Sequence, residues 1–157
     1  MISSDVEPVG NVEMIIDYKS GEQKVTSFPN TVLKNGRRVL ALTLANQLGS
    51  EFQFYITRML FGDGGTQGGV KKYVNGSRNG LFGVTRLSKP VLANLDSVID
   101  TQVIFTSVIT YEEAIGVVLN EMALQMANGD LYSMVTFSDF TKSAEMQVTF
   151  NWRINFI

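Results

Sequence analysis

The chain of 157 residues predicts a mainly β protein: an antiparallel, jelly-roll-like β-sandwich with one α-helix in its N-terminal half. Three observations carry this. Short apolar segments alternate at period two along the C-terminal half and are separated by glycine, proline and asparagine turn signals. Only one stretch, about 31–48, has apolar residues at helical spacing. A composition of 45% hydrophobic and 18% charged residues suits a packed core rather than a disordered chain.

The elements follow in order. Residues 1–10 carry Asp5, Glu7 and Pro8 and end in glycine, which reads as an extended arm before a single domain over 11–157. Asn11 to Tyr18 is strand-like, with Val12, Met14 and Ile16 on one face. Lys19 to Glu22 is a turn, and Gln23 to Phe28 is the return strand, halted by Pro29. In the helix, Asn30 or Thr31 is the expected cap, with Asn35 as an alternative. Leu33, Leu40, Leu44 and Leu48 form the apolar stripe, and Gly49 is the expected stop. Gly36 weakens this helix, since glycine costs about 1 kcal/mol relative to alanine in a helix interior.

Glu51 to Phe61 alternates as a strand. From Gly62 to Gly83 there are eight glycines in 22 residues, a composition that predicts one long functional loop. Val84 to Ala93 is a strand broken or placed at an edge by Pro90. Gln102 to Thr110 and Gly116 to Met126 are strong strands. Asn128-Gly129 predicts a type I′ hairpin turn leading into Leu131 to Ser138. Glu145 to Phe156 alternates most cleanly, with Met146, Val148, Phe150, Trp152, Ile154 and Phe156 on one face.

Composition narrows the chemistry. There is no cysteine and no histidine, so thiol chemistry and the Ser–His and Cys–His nucleophile arrangements are absent. No apolar run approaches the ~20 residues of a membrane helix, and the acidic start is unlike a signal peptide. The glycine-rich stretch fails as a phosphate loop: Val70 stands where the lysine of G-x-x-x-x-G-K-[ST] belongs, and Gln67 where the third glycine of G-x-G-x-x-G belongs. Asp63 alone is far short of a calcium site, which takes about 6–8 oxygens. Glu112 and Glu113, read as neighbours on a strand, point to opposite faces. Glu121, inside an apolar strand, falls by period two on the face of Val117, Leu119 and Ala123. It reads as a structural acid that binds the backbone N–H groups of a neighbouring loop. Asn75-Gly76-Ser77 reads as a polar turn. No catalytic, cofactor or metal site is expected, and the protein does not read as an enzyme.

Charge is segregated. Gly64 to Leu95 holds five bases (Lys71, Lys72, Arg78, Arg86, Lys89) and no acid, whereas Asp96 to Thr141 holds seven acids and no base. This predicts docking between complementary protein surfaces. The contact candidates are these five bases with Asp63, Tyr73 and Phe82, together with the 1–10 arm. The net charge of -2 argues against a nucleic-acid partner.

Several pieces resemble a family of tailed-bacteriophage virion structural proteins over roughly residues 31–157. They are Asn35-Gly36-Arg37, Leu60-Phe61-Gly62-Asp63-Gly64, and Leu119-Asn120-Glu121-Met122-Ala123-Leu124. Then come Asn128-Gly129-Asp130-Leu131-Tyr132, Val135-Thr136-Phe137, Lys142, and Trp152-Arg153-Ile154-Asn155-Phe156. Two departures are Ala123, where relatives often have glycine, and a longer, more basic 68–83 segment. The resemblance implies a capsid decoration (cement) protein on the outer surface of the virion, made in the bacterial host cytoplasm. Its partners would be the major capsid protein or other virion proteins and further copies of itself, as a homotrimer. A tail, baseplate or fibre-attachment subunit is the alternative, and a carbohydrate- or receptor-binding module ranks below it.

Overall fold

In the computed structural model, residues 9–47, 49, 55–95, 98 and 100–156 are described. Two five-stranded antiparallel sheets face each other, as the sequence predicts. The first 8 residues of the expected arm lie outside the described residues, while Val9 and Gly10 already belong to a strand.

Strand β1 (Val9–Tyr18) turns through Gly21, at φ 93°, into β2 (Gln23–Pro29). The chain then crosses to the other sheet as β3 (Thr31–Val32) and enters helix α1 (Lys34–Leu44). Strand β4 (Ile56–Gly62) follows, then a small hairpin of β5 (Thr66–Gln67) and β6 (Val70–Lys71). Strand β7 (Thr85–Pro90) closes one edge of the second sheet. Pro90 ends it, and the chain returns to the first sheet as β8 (Leu92–Leu95). Strands β9 (Gln102–Ile109), β10 (Val118–Met126), β11 (Leu131–Thr141) and β12 (Met146–Asn155) complete the pair. The sheet orders are β2-β1-β12-β9-β8 and β3-β11-β10-β4-β7.

The period-two faces meet in the core. Val12, Met14 and Ile16 of β1 and Val148, Phe150, Trp152 and Ile154 of β12 are buried in one cluster with Met59, Phe61, Leu119, Met122, Leu124, Val135 and Phe137 of the second sheet. Phe61 and Phe150 touch across the sandwich with ring centroids 4.8 Å apart. Each such side chain contributes roughly 1.5–3 kcal/mol by leaving water. Phe156, predicted on this face, lies past the end of β12 and is half exposed.

The second sheet is buried on both faces. Leu33, Val74, Ala123, Leu131 and Met134 form a separate cluster on its outer side, with Leu60, Leu81 and Phe82 packed on it. This explains why β10 is buried almost continuously rather than alternately.

Four sequence expectations are corrected. The helix is shorter than 31–48, and Asn30, Thr31 and Asn35 do not cap it. Thr31 and Val32 pair with β11, Asn35 is helical, and Leu33 is the N-cap without a side-chain bond. Its end is marked by Asn46 at φ 52°, ahead of Gly49. Its buried residues are Gly36 and Val39, whereas Leu44 is 90% exposed, because α1 meets β11 at close range through glycine rather than along a leucine ridge. A Cβ on Gly36 would stand 2.5 Å from the Tyr132 carbonyl oxygen. The Asn128-Gly129 turn is not type I′. Only Gly129 has positive φ, and Gly129 N–H bonds to Met126 O while Met126 N–H bonds to Asp130 O, a type I turn with a glycine bulge. Glu112 and Glu113 lie in the turn between β9 and β10, not on a strand.

Candidate functional site

The segment 62–83 is a cover, not a free loop. It carries the β5–β6 hairpin and lays Val74, Leu81 and Phe82 on the outer face of the second sheet. Two adjacent residues of β10 hold it there. The Glu121 carboxylate, fully buried, accepts the N–H groups of Gly64 (2.9 Å) and Gly83 (2.9 Å) on Oε1 and of Phe82 (2.7 Å) on Oε2. Asn120 accepts Gly65 N–H at 2.7 Å and donates to Asp63 O, Thr66 Oγ1 and Asp139 Oδ1. The structural reading of Glu121 therefore holds.

Its expected face holds for Ala123 but not for Leu119, and the reason is local. The β10–β11 register shifts between Leu119 and Glu121, so Leu119 joins the inner core with Met122 while Glu121 turns outward with Ala123. The glycines allow the two ends of the cover to touch: a Cβ on Gly64 would lie 2.2 Å from Gly83 N. Asp139 closes the network by accepting Thr66 Oγ1 at 2.6 Å. That hydroxyl first, and then the Asn120 amide, hold its carboxyl below the usual range.

Most of the predicted contact residues work inside the chain. Arg86 pairs with Asp63 at 2.7 Å, and Lys89 pairs with Glu113 at 2.7 Å. The second pair joins the basic segment to the acidic one within a single molecule, so the charge segregation is partly self-compensating. Lys89 chiefly, with Thr110 N–H, holds the Glu113 carboxyl below its usual range. Arg78 bonds Gly80 O and Leu81 O and lies 3.6 Å over the Phe82 ring, with Lys72 Nζ 5.1 Å from the same ring.

Arg86 is itself exposed despite its pairing, and two further candidates face outward. Lys71 is exposed and Tyr73 is 85% exposed. They border a groove of about 340 Å³ with Phe28, Pro29, Thr31 and Thr136. It continues past Lys71 into a second hollow of about 400 Å³ beside Ser27 and Asp139. The groove separates the outer edge strand β2 from the cover.

Sequence reasoning missed three participants. Asn120 stood beside Glu121 as a second polar residue in an apolar strand, and that adjacency was the available signal. Asp139 had none. Lys142 is fully buried, with Nζ bonding Ser143 O (2.7 Å) and Tyr111 O (3.4 Å). Burial lowers its pKa against the opposing pull of Glu112 and Glu113. It ties the 111–116 turn to the β11–β12 connection. Among the described residues no three acidic side chains gather as a metal site, and no helix is long and apolar enough to cross a membrane.

Comparisons with protein-family models, with curated proteins and with solved structures find no match.

Proposed function

We propose that the chain is a bacteriophage virion structural protein, a decoration protein that binds the outer surface of the assembled head and stabilises it. One observation carries the reading beyond the motif order. The separate pieces of the resemblance contact one another in the fold. Glu121 of the Asn-Glu strand bonds Gly64 of the glycine turn, and the Asn-Gly-Arg helix start packs its glycine on Tyr132, behind the Asn-Gly turn.

The mode of action follows from mass action. A protein that binds only the assembled shell stabilises it in proportion to its occupancy. The pinned cover suits this, because a rigid surface loses little entropy on docking. Lys71 and Tyr73, beside the groove, are the contact residues. Asp63, Lys89, Arg78, Lys72 and Phe82 shape the surface from behind, and Arg86 stands exposed but paired with Asp63.

The test is co-sedimentation with capsids that lack the protein, over a range of salt. The expected result is binding that saturates, with Lys71→Glu and Tyr73→Ala weakening it while the fold is kept. Absence of co-sedimentation at every salt concentration overturns the cement reading. A small ring-like copy number per particle would favour the tail or baseplate alternative. Exposed Tyr73 over a polar groove is the feature a sugar-binding reading would use, and a glycan array without hits removes it.

A further inference from the structure

Among the described residues the two five-stranded sheets have four outer strand edges, and three are guarded. Strand β2 carries Lys24 and ends in Pro29, β7 carries Arg86, Lys89 and Pro90, and β3 is only two residues long and runs straight into α1. These are the usual devices that keep a sheet edge from pairing with another chain. Strand β8, Leu92-Ala93-Asn94-Leu95, has none of them. It holds no charge and no proline, every residue is exposed, and among the described residues it is hydrogen-bonded only to β9.

An apolar hollow of about 410 Å³ opens beside this edge, where the two sheets part under α1. Val39, Leu40, Val103, Phe105, Tyr132 and Phe156 line it, with no charged residue among the lining. Ala93 stands opposite Phe105 and Leu95 opposite Val103, so Ala93 and Leu95 share the face of the hollow. Leu95 is 67% exposed there.

Edge and hollow make the same demand. An open edge pairs with an extended backbone, and an uncharged hollow favours an uncharged strand beside it. Among the described edges only β8 itself is extended, free and uncharged. We infer that a second copy of this chain docks here, β8 against β8 across a two-fold axis, so that the first sheet continues through both molecules. Leu95 and Ala93 of each copy then close the mouths of the two hollows. The contact is isologous and closes at two copies, in place of the three-fold association the resemblance implies. It does not depend on the virion reading.

Sedimentation equilibrium of the full chain over a concentration series tests it, with hydrogen exchange of the β8 amides read alongside. The expected result is a monomer–dimer equilibrium with β8 protected in the dimer. Leu95→Lys sets two like charges across the axis and should weaken association at least roughly tenfold. It alters an exposed side chain, and circular dichroism verifies the fold. Val70→Lys, an equally exposed apolar site on the β5–β6 hairpin, should leave association unchanged. A monomer at all concentrations overturns the inference. So does a trimer, or a dimer that Leu95→Lys leaves intact or whose β8 amides exchange freely.

Discussion

Replacing Glu121 by glutamine changes no volume and removes one acceptor. In the native chain Oε1 receives Gly64 and Gly83 N–H and Oε2 receives Phe82 N–H. With the amide oxygen at the Oε1 position, the new NH₂ points at the Phe82 N–H, a donor facing a donor across a 2.7 Å site. The lost bond to a charged acceptor is worth about 1.5–3 kcal/mol, and the stranded N–H adds a desolvation cost of about 1–3 kcal/mol. The reverse rotamer strands two N–H groups instead of one. Gly83 lies at the surface, so water relieves part of this, and the expected loss is about 3 kcal/mol. For a domain of this size that is a fall of roughly 6–12 °C in melting temperature.

Urea unfolding followed by circular dichroism gives the free energy, and hydrogen exchange at Gly64, Phe82 and Gly83 shows whether the cover lifts before the sandwich opens. The expected pattern is faster exchange at these three amides with β12 still protected. A loss under about 1 kcal/mol, with all three amides as protected as before, refutes the claim that the carboxylate pins the cover.

Three further outcomes follow from the same structure. Gly36→Ala gains about 1 kcal/mol of helix propensity but drives a Cβ to 2.5 Å from the Tyr132 carbonyl. Overpacking costs of about 1–3 kcal/mol then prevail, so the urea midpoint should fall, not rise. Tyr132 is buried with an unpartnered hydroxyl, and burial pushes its pKa from 10.0 to about 12. The folded phenol stays neutral while the unfolded one ionises, so about 2–3 kcal/mol of stability present below pH 10 is lost towards pH 12. Tyr132→Phe should flatten that alkaline limb in thermal melts and leave pH 7 stability equal or higher. Glu113 is the acid counterpart, its pKa lowered chiefly by Lys89 from 4.5. Its contribution is present above pH 4.5 and lost as pH falls through the folded value, and Lys89→Met should remove that component of an acid titration.

The strands were legible because burial on one face writes itself as alternation. In β12 the buried set is the predicted one except at Phe156, and the β1 set is the predicted one throughout. Pro90 was legible as an edge signal and also marks where the chain changes sheets. The helix was misread because leucines at 33, 40, 44 and 48 outweighed a glycine, yet that glycine is the contact that seats the helix on β11. The cover was misread for a related reason. Glycine abundance signals freedom when a segment is considered alone, but here it allows two backbones to approach, and the pin that fixes them lies 38 to 57 residues away in β10. Charge segregation was visible, but the Lys89–Glu113 pair that partly cancels it is a product of topology.

Several residues of the quoted motifs are therefore fold determinants. Asn120, Glu121, Gly62, Gly64 and Gly36 are used up in contacts within the chain, and none presents a free group to a partner. Such a set can persist across proteins that dock on different surfaces, because it specifies the scaffold and leaves the docking chemistry open. What distinguishes this chain must then be sought where those motifs are silent. Two such places are the Lys71–Tyr73 rim of the groove and the uncharged β8 edge. The groove runs between the cover and β2, and the free edge is β8, so the two places lie at opposite outer strands of the first sheet. Binding at one leaves the other open, so occupation of the groove and pairing along β8 do not exclude each other.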